Sequence, residues 1–201
     1  MSKVNSGSFF LQWVTAVTVT MILAVMGAFM FMWSIGEMVQ RAWGDVAQTL
    51  VMGAILGGLL GLGIGLGQAI VLHNQGIPFM RWLGQTVLAG AVGMALGFTL
   101  MFRLFNLDNV PEIAAGVMMA LSAGIPIGLV QWQMLKPYVA QAQLWLPICM
   151  AAFLIGFAVG LPLGGEGREW LSVGVVALLT AVLSGAGMVW LARGGETAVV
   201  A

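Results

Sequence analysis

Gln68 and Gln131 are the polar side chains whose setting invites a chemical reading. Each follows small residues spaced four apart: Gly53, Gly57, Gly61 and Gly65 before Gln68, and Gly116, Ala120, Gly124 and Gly128 before Gln131. A primary amide carries two N–H donors and an acceptor oxygen. Two amides at equivalent places in a helix bundle could meet near its axis and bond each other, or hold a polar ligand. The plainer reading has each amide bonding a backbone carbonyl nearby, worth ~0.6 kcal/mol on average in a bilayer. Trp82, Trp132 and Trp145 fall at the same level along their helices. They suit either anchoring at a membrane–water interface or an aromatic wall for a ring-bearing ligand such as a quinone, pigment or vitamin. His73 is the only histidine. Its neutral imidazole could ligate the metal of a haem or a chlorophyll-type pigment, or it is a surface histidine at a helix end.

Other chemistry is poorly supplied. Cys149 is the only cysteine, so no internal disulfide forms, and a metal site built from His and Cys lacks its ligands. No nucleophile–base pair, phosphate loop or paired carboxylates occur, and an enzyme is not expected. No apolar segment carries Asp, Glu, Lys or Arg near its midpoint; proton pumps, ion-coupled transporters and voltage sensors usually need such a group. Thr20, Thr99, Ser122, Thr180 and Ser184 can each bond their own helix backbone. Seven basic residues balance seven acidic ones, which leaves no field to attract nucleic acid.

The elements that must position these residues are helices in a membrane. The 201-residue chain is 61% hydrophobic and 7% charged, with a mean hydropathy of +1.04, against about 25% charged residues in an ordinary soluble domain. A glycine inside a soluble helix costs about 0.8–1 kcal/mol relative to alanine. In a bilayer the helix keeps its hydrogen bonds, and small residues let two helices approach closely. Six segments reach the ~20 residues that cross ~30 Å of hydrocarbon: 9–33, 46–72, 80–102, 113–135, 143–163 and 169–192. The first is longer than a signal-peptide core and ends in no small-x-small cleavage site, so it reads as a spanning helix. The fold class is therefore all-α, a single polytopic transmembrane domain over 1–201.

The connections are short. Ser34–Asp45 carries Glu37, Arg41 and Asp45 beside Trp33 and Trp43, a polar loop or a short amphipathic helix at the interface. His73–Pro78 is a turn. Arg103–Glu112 ends at Pro111, a good residue for a helix start. Lys136 and Pro137 mark the fourth connection, a glycine-rich acidic stretch from Gly164 to Glu169 the fifth, and the tail from Arg193 is expected to fray. Lys3, Arg81, Lys136 and Arg193 share the side of the N-terminus, and Arg41, Arg103 and Arg168 take the other. That places both termini in the cytoplasm of a bacterial inner membrane. Glu37, Asp45, Asp108, Glu112, Glu166 and Glu169 share the opposite side.

Aligning 53–97 on 116–160 needs no gap. It matches Gly53/Gly116, Gly61/Gly124, Gly65/Gly128, Gln68/Gln131, Leu72/Leu135, Trp82/Trp145, Ala89/Ala152, Gly93/Gly156 and Gly97/Gly160. A fixed period with matching special residues signals duplication. Each unit holds two helices, so the copies form a parallel repeat about a pseudo-two-fold axis along the membrane normal. Gly185, Gly187 and Trp190 echo the motif as the start of a third, truncated copy. The stripes Ala89–Gly93–Gly97 and Ala152–Gly156–Gly160 predict that the second helix packs on the third and the fourth on the fifth. The bulky first helix is expected at the periphery, and Pro126 should bend the fourth.

Gly124, Gly128, Gln131, Trp132 and Leu135 form G-x-x-x-G-x-x-Q-W-x-x-L. This resembles uncharacterised bacterial polytopic membrane proteins with repeated hairpins of that pattern, known among phototrophic bacteria. The first copy departs, with Ala69 at the Trp position. The resemblance spans about half the chain and implies no activity. Two functional readings remain. One is a non-enzymatic accessory subunit of a larger membrane complex, photosynthetic or respiratory, with other membrane subunits and lipids as partners. Gly57, Gly61, Gly65, Gly124 and Gly128 are ligand or helix-packing positions, and glycine ridges beyond those needed internally would receive a partner helix, a carotenoid or other pigment tail, or a lipid. The other is a small substrate-capture subunit of an uptake transporter, with Gln68, Gln131 and the tryptophans lining its pocket.

Overall fold

A computed structural model describes residues 6–104, 111–165 and 167–197, which form helices and short connections and contain no strand. Helix α1 (Ser6–His73) is broken only at Gly44, whose φ of 78° and ψ of 177° turn the chain back on itself. Glycine takes that backbone conformation without a Cβ penalty. The two arms, 6–43 and 45–73, lie antiparallel. Then follow α2 (Phe79–Leu104), α3 (Glu112–Leu135), a 3-10 turn (Ala142–Leu144), α4 (Trp145–Gly160), a second 3-10 turn (Leu161–Leu163) and α5 (Glu169–Thr197). Six helical stretches are long and apolar enough to cross a membrane: Ser6–Met32, Ser34–His73, Phe79–Arg103, Ile113–Leu135, Ala142–Leu163 and Glu169–Arg193.

Of the two readings of 34–45, the polar loop is corrected to helix, which runs on both sides of Gly44 and continues the flanking stretches. Its polar residues sit at helical spacing, and Arg41 pairs with Glu37 one turn back at 2.7 Å, so nothing but Gly44 stops the helix. The turn at 74–78 forms as expected, with Gly76 at φ 82° and Ile77 N–H donating to the Leu72 carbonyl. Pro111 caps α3. Pro126 lies inside an unbroken α3. Lacking an N–H, it leaves the Ser122 carbonyl without its ladder partner, and α2 packs so closely there that a side chain on Gly93 would strike that oxygen. Lys3, Asp108 and Glu166, used above for charge sidedness, lie outside the described residues, as does most of the third connection.

Consecutive helices pack side by side, and α5 returns onto α1, which closes a ring of six. Small residues set the spacing. Side chains built on Gly53 and Gly61 would reach within 2.7 Å of the Met94 carbonyl oxygen and 2.6 Å of the Thr86 carbonyl oxygen of α2. Gly57 and Gly90 touch backbone to backbone. The second stretch thus packs on the third as expected, but through Gly90; Gly93 and Gly97 turn to Ser122 of α3, and Gly156 and Gly160 turn to Thr180 and Val176 of α5.

The first arm of α1 is the least buried of the six spans, as expected, yet one face of it enters the core. A second stripe on the other arm, Gly63 and Gly67, receives it against Val17, Thr20 and Met21. The Thr20 hydroxyl donates across to the Gly63 carbonyl at 2.5 Å. Trp13, Val17, Met21 and Ala28 are buried in the common core. The sequence reading missed this because it followed the Gly53–Gly65 stripe and left Gly63 and Gly67, one flank round the helix, without a partner.

Candidate functional site

Three tryptophans and two glutamines close one end of the ring, the end where Ser6 of α1 meets Arg193 of α5. Trp82, on α2, donates its indole N–H to Gln68 Oε1 on the preceding arm of α1 at 3.3 Å. Trp145, on α4, donates to Gln131 Oε1 on the preceding α3 at 3.0 Å. The same relation recurs where the ring closes: Trp13 on the first arm donates to Ser184 Oγ on α5 at 3.1 Å. The two amides are joined by Gln131 Nε2 donating to Gln68 Oε1 at 2.7 Å, and the same nitrogen reaches Thr86 Oγ1 at 3.2 Å. Trp13 and Trp145 meet edge to face, with ring centroids 6.1 Å apart.

Chemistry fixes which way the amides point. An indole N–H only donates, so Trp145 demands the oxygen of Gln131, and the Gln131 nitrogen is left to face Gln68. Gln68 therefore uses its oxygen twice, as acceptor from Trp82 and Gln131. Gln68 is 2% exposed, and Gln131, Trp82 and Trp145 are 0% exposed. The amides do meet, as their matching positions suggested, and their partners are each other and the indoles rather than backbone carbonyls. Trp82 and Trp145 are therefore core residues, which corrects the reading of them as interfacial anchors. A tryptophan one turn into an apolar helix looks like an anchor until a facing acceptor is known. Trp132 is half-buried, with Lys136 Nζ 4.2 Å from its ring centroid.

Trp13, Thr86 and Ser184 were missed as members of this network. The available signal was Trp13 itself, placed near the start of its helix as Trp82 and Trp145 are. The other sequence candidates have structural roles. Gly57, Gly61 and Gly65 face α2, while Gly124 and Gly128 face Phe153, Leu146 and Cys149 of α4. His73 is exposed at the end of α1, with its ring edge-on to Phe79 at 6.3 Å. No group of three or more His, Cys, Asp or Glu capable of holding a metal occurs among the described residues.

Cys149 lies against this plug, its Sγ 4.0 Å from the Gly124 carbonyl oxygen, and is 3% exposed. As the only thiol it reports on the integrity of the plug. A maleimide is expected to leave the folded protein unlabelled in mild detergent and to react stoichiometrically after denaturation. Rapid labelling of the folded protein would mean that α3 and α4 part readily at Gly124.

Beyond the plug, toward the other end of the ring, lies a partly open cavity of about 280 Å³ whose walls come from all six stretches, among them Val25, Leu60, Met94, Met119, Phe157 and Val176. Ser172 is its single polar side chain. Comparison with known protein families, with curated proteins and with solved structures returns no match for this chain.

Proposed function

We propose that the chain is an integral membrane protein that serves as a non-enzymatic accessory subunit of a larger membrane complex, photosynthetic or respiratory. The observation that carries this reading is that the polar side chains of the plug, the glutamine amides and the indoles, bond one another. Thr180, expected to bond its own helix, is buried elsewhere with its hydroxyl unpartnered. The charged side chains described are all exposed, Arg81, Lys136 and Arg193 at one end and Glu37, Arg41, Asp45, Arg103, Arg168 and Glu169 at the other. Between them run stretches such as Glu169–Arg193, ~36 Å long at 1.5 Å per residue, a good match to a bilayer core. The engaged amides argue against a polar pocket and so against capture of a polar solute. Both termini are assigned to the cytoplasm of a bacterial inner membrane on the basic residues near them.

The repeat in this reading is a tandem of three helix pairs, an extension of the two-copy alignment. Trp13, Trp82 and Trp145 correspond, each followed by small residues seven, eleven and fifteen positions on: Thr20, Ala24 and Ala28; Ala89, Gly93 and Gly97; Ala152, Gly156 and Gly160. Each indole donates to the helix before it around the ring. Such an arrangement has a pseudo-three-fold axis along the bundle.

The test is purification from native membrane in gentle detergent, with mass spectrometry of co-purifying proteins and an absorption spectrum of the same sample. Stoichiometric recovery with a respiratory or photosynthetic complex is the expected result. A lone, colourless protein carrying a small polar molecule would overturn the accessory reading in favour of solute capture.

A further inference from the structure

We infer that the central cavity binds one hydrocarbon chain, the tail of a membrane lipid or of an isoprenoid. The inference rests on the chain's insertion into a bilayer but not on which complex it joins. Cavity-lining residues on the first arm run from Met21 to Met32, eleven residues or ~16 Å of helix, so the space is long for its volume of about 280 Å³. A narrow, tall space suits an extended chain and not a ring system. An apolar cavity of about 150 Å³ accepts benzene, which scales to roughly ten to twelve carbons here. Water is a poor occupant, because it needs two to four polar partners and Ser172 is the one polar side chain in the wall. An empty void destabilises in proportion to its volume.

Two features point to entry from the bilayer. Phe29 lines the cavity yet is half exposed, and its ring meets Trp170 edge to face with centroids 6.2 Å apart. That contact spans the seam between the first arm of α1 and α5, the first and last spans of the chain, which no connecting loop ties together. Ser172, 6% exposed, sits in the same wall. Its hydroxyl can donate to the ester carbonyl of an acyl lipid or the carbonyl of a quinone whose tail fills the cavity.

The experiment exposes detergent-washed protein separately to vesicles of dioleoyl phosphatidylglycerol and to the same vesicles carrying a prenylquinone, re-isolates it, and counts bound molecules by native mass spectrometry. The two arms separate the sources of the chain by mass. Val25→Trp fills the cavity, and Leu96→Trp adds similar bulk on the exposed face of α2. Folding of each is checked by protection of Cys149 from maleimide. The expected result is one bound molecule on the wild type and on Leu96→Trp, and at least ~10-fold less on Val25→Trp, a difference of about 1.4 kcal/mol. Should Val25→Trp not fold, Met119→Phe supplies a milder filling variant with the same expected direction. Equal binding by folded wild type, filled and surface variants, or no bound molecule on the wild type, would overturn the inference while leaving the accessory reading to its own co-purification test.

Discussion

Gln131→Leu is expected to destabilise the bundle by ~2–4 kcal/mol, and Gln68→Leu, which strands the equally buried Trp82 N–H but breaks two hydrogen bonds rather than three, by somewhat less. Gln131 uses both ends of its amide: the oxygen accepts from Trp145, and the nitrogen donates to Gln68 and Thr86. Its loss strands the Trp145 N–H, which is 0% exposed, and an unsatisfied buried donor costs about 1–3 kcal/mol by itself. The lost hydrogen bonds add to that, each worth ~0.6 kcal/mol on average in a membrane setting. The acidic variants sharpen the ranking. Gln68 accepts through its oxygen alone, so Gln68→Glu keeps both acceptor contacts. Either glutamate buries a charge unless it takes up a proton, but Gln131→Glu in addition sets a carboxyl oxygen against the Gln68 oxygen, where a nitrogen now stands 2.7 Å away. Reversible unfolding in mixed micelles would measure the series, and equal effects of Gln68→Glu and Gln131→Glu would show that the amides are not oriented as described.

That asymmetry was beyond the reach of the sequence, although the pairing was not. Equal spacing after a glycine stripe marks Gln68 and Gln131 as equivalent, and equivalence around an axis suggests contact. Which atom faces which is decided by Trp82 and Trp145, and the hydropathy pattern of a single helix cannot tell an indole turned into a core from one held at an interface. Ser184 and Thr86 were invisible for a related reason: a hydroxyl in an apolar helix can bond its own backbone, as Ser122 and Thr99 do, and only a neighbouring indole or amide recruits it. The six spans were legible because each is a long apolar run bounded by polar or helix-breaking residues. The hairpin tip was not, because Glu37 and Arg41 look like loop residues although they are one helical turn apart. Chain closure was the hardest part. The first arm of α1 meets α5 across the whole sequence, and no local pattern announces a contact between Trp13 and Ser184.

The ring that positions the plug depends on backbone contact, and the second large effect is expected there. A methyl group on Gly57 would collide with the Gly90 carbonyl oxygen and come within 2.5 Å of Met94 Cβ. The oxygen and carbon of the Gly90 carbonyl are both backbone atoms, so relief requires moving α2 as a unit, not rotating a side chain. Overpacking of a core costs about 1–3 kcal/mol and occasionally more, and Gly57→Ala is placed at or above the top of that range, with Gly57→Leu failing to yield folded protein. Gly90→Ala should behave alike, because its Cβ would meet the Gly57 carbonyl oxygen. Gly84, on the same α2, has open space where a Cβ would stand. Gly84→Ala should therefore be neutral or gain up to ~1 kcal/mol from helix propensity. Pulling α2 away from α1 would also draw Trp82 and Thr86 off the amides, so Gly57→Ala should expose Cys149 to maleimide before the helices themselves are lost. Normal thiol protection and unfolding in Gly57→Ala would mean that the helices do not approach to backbone contact at Gly90, and the plug would then need another explanation for its registry.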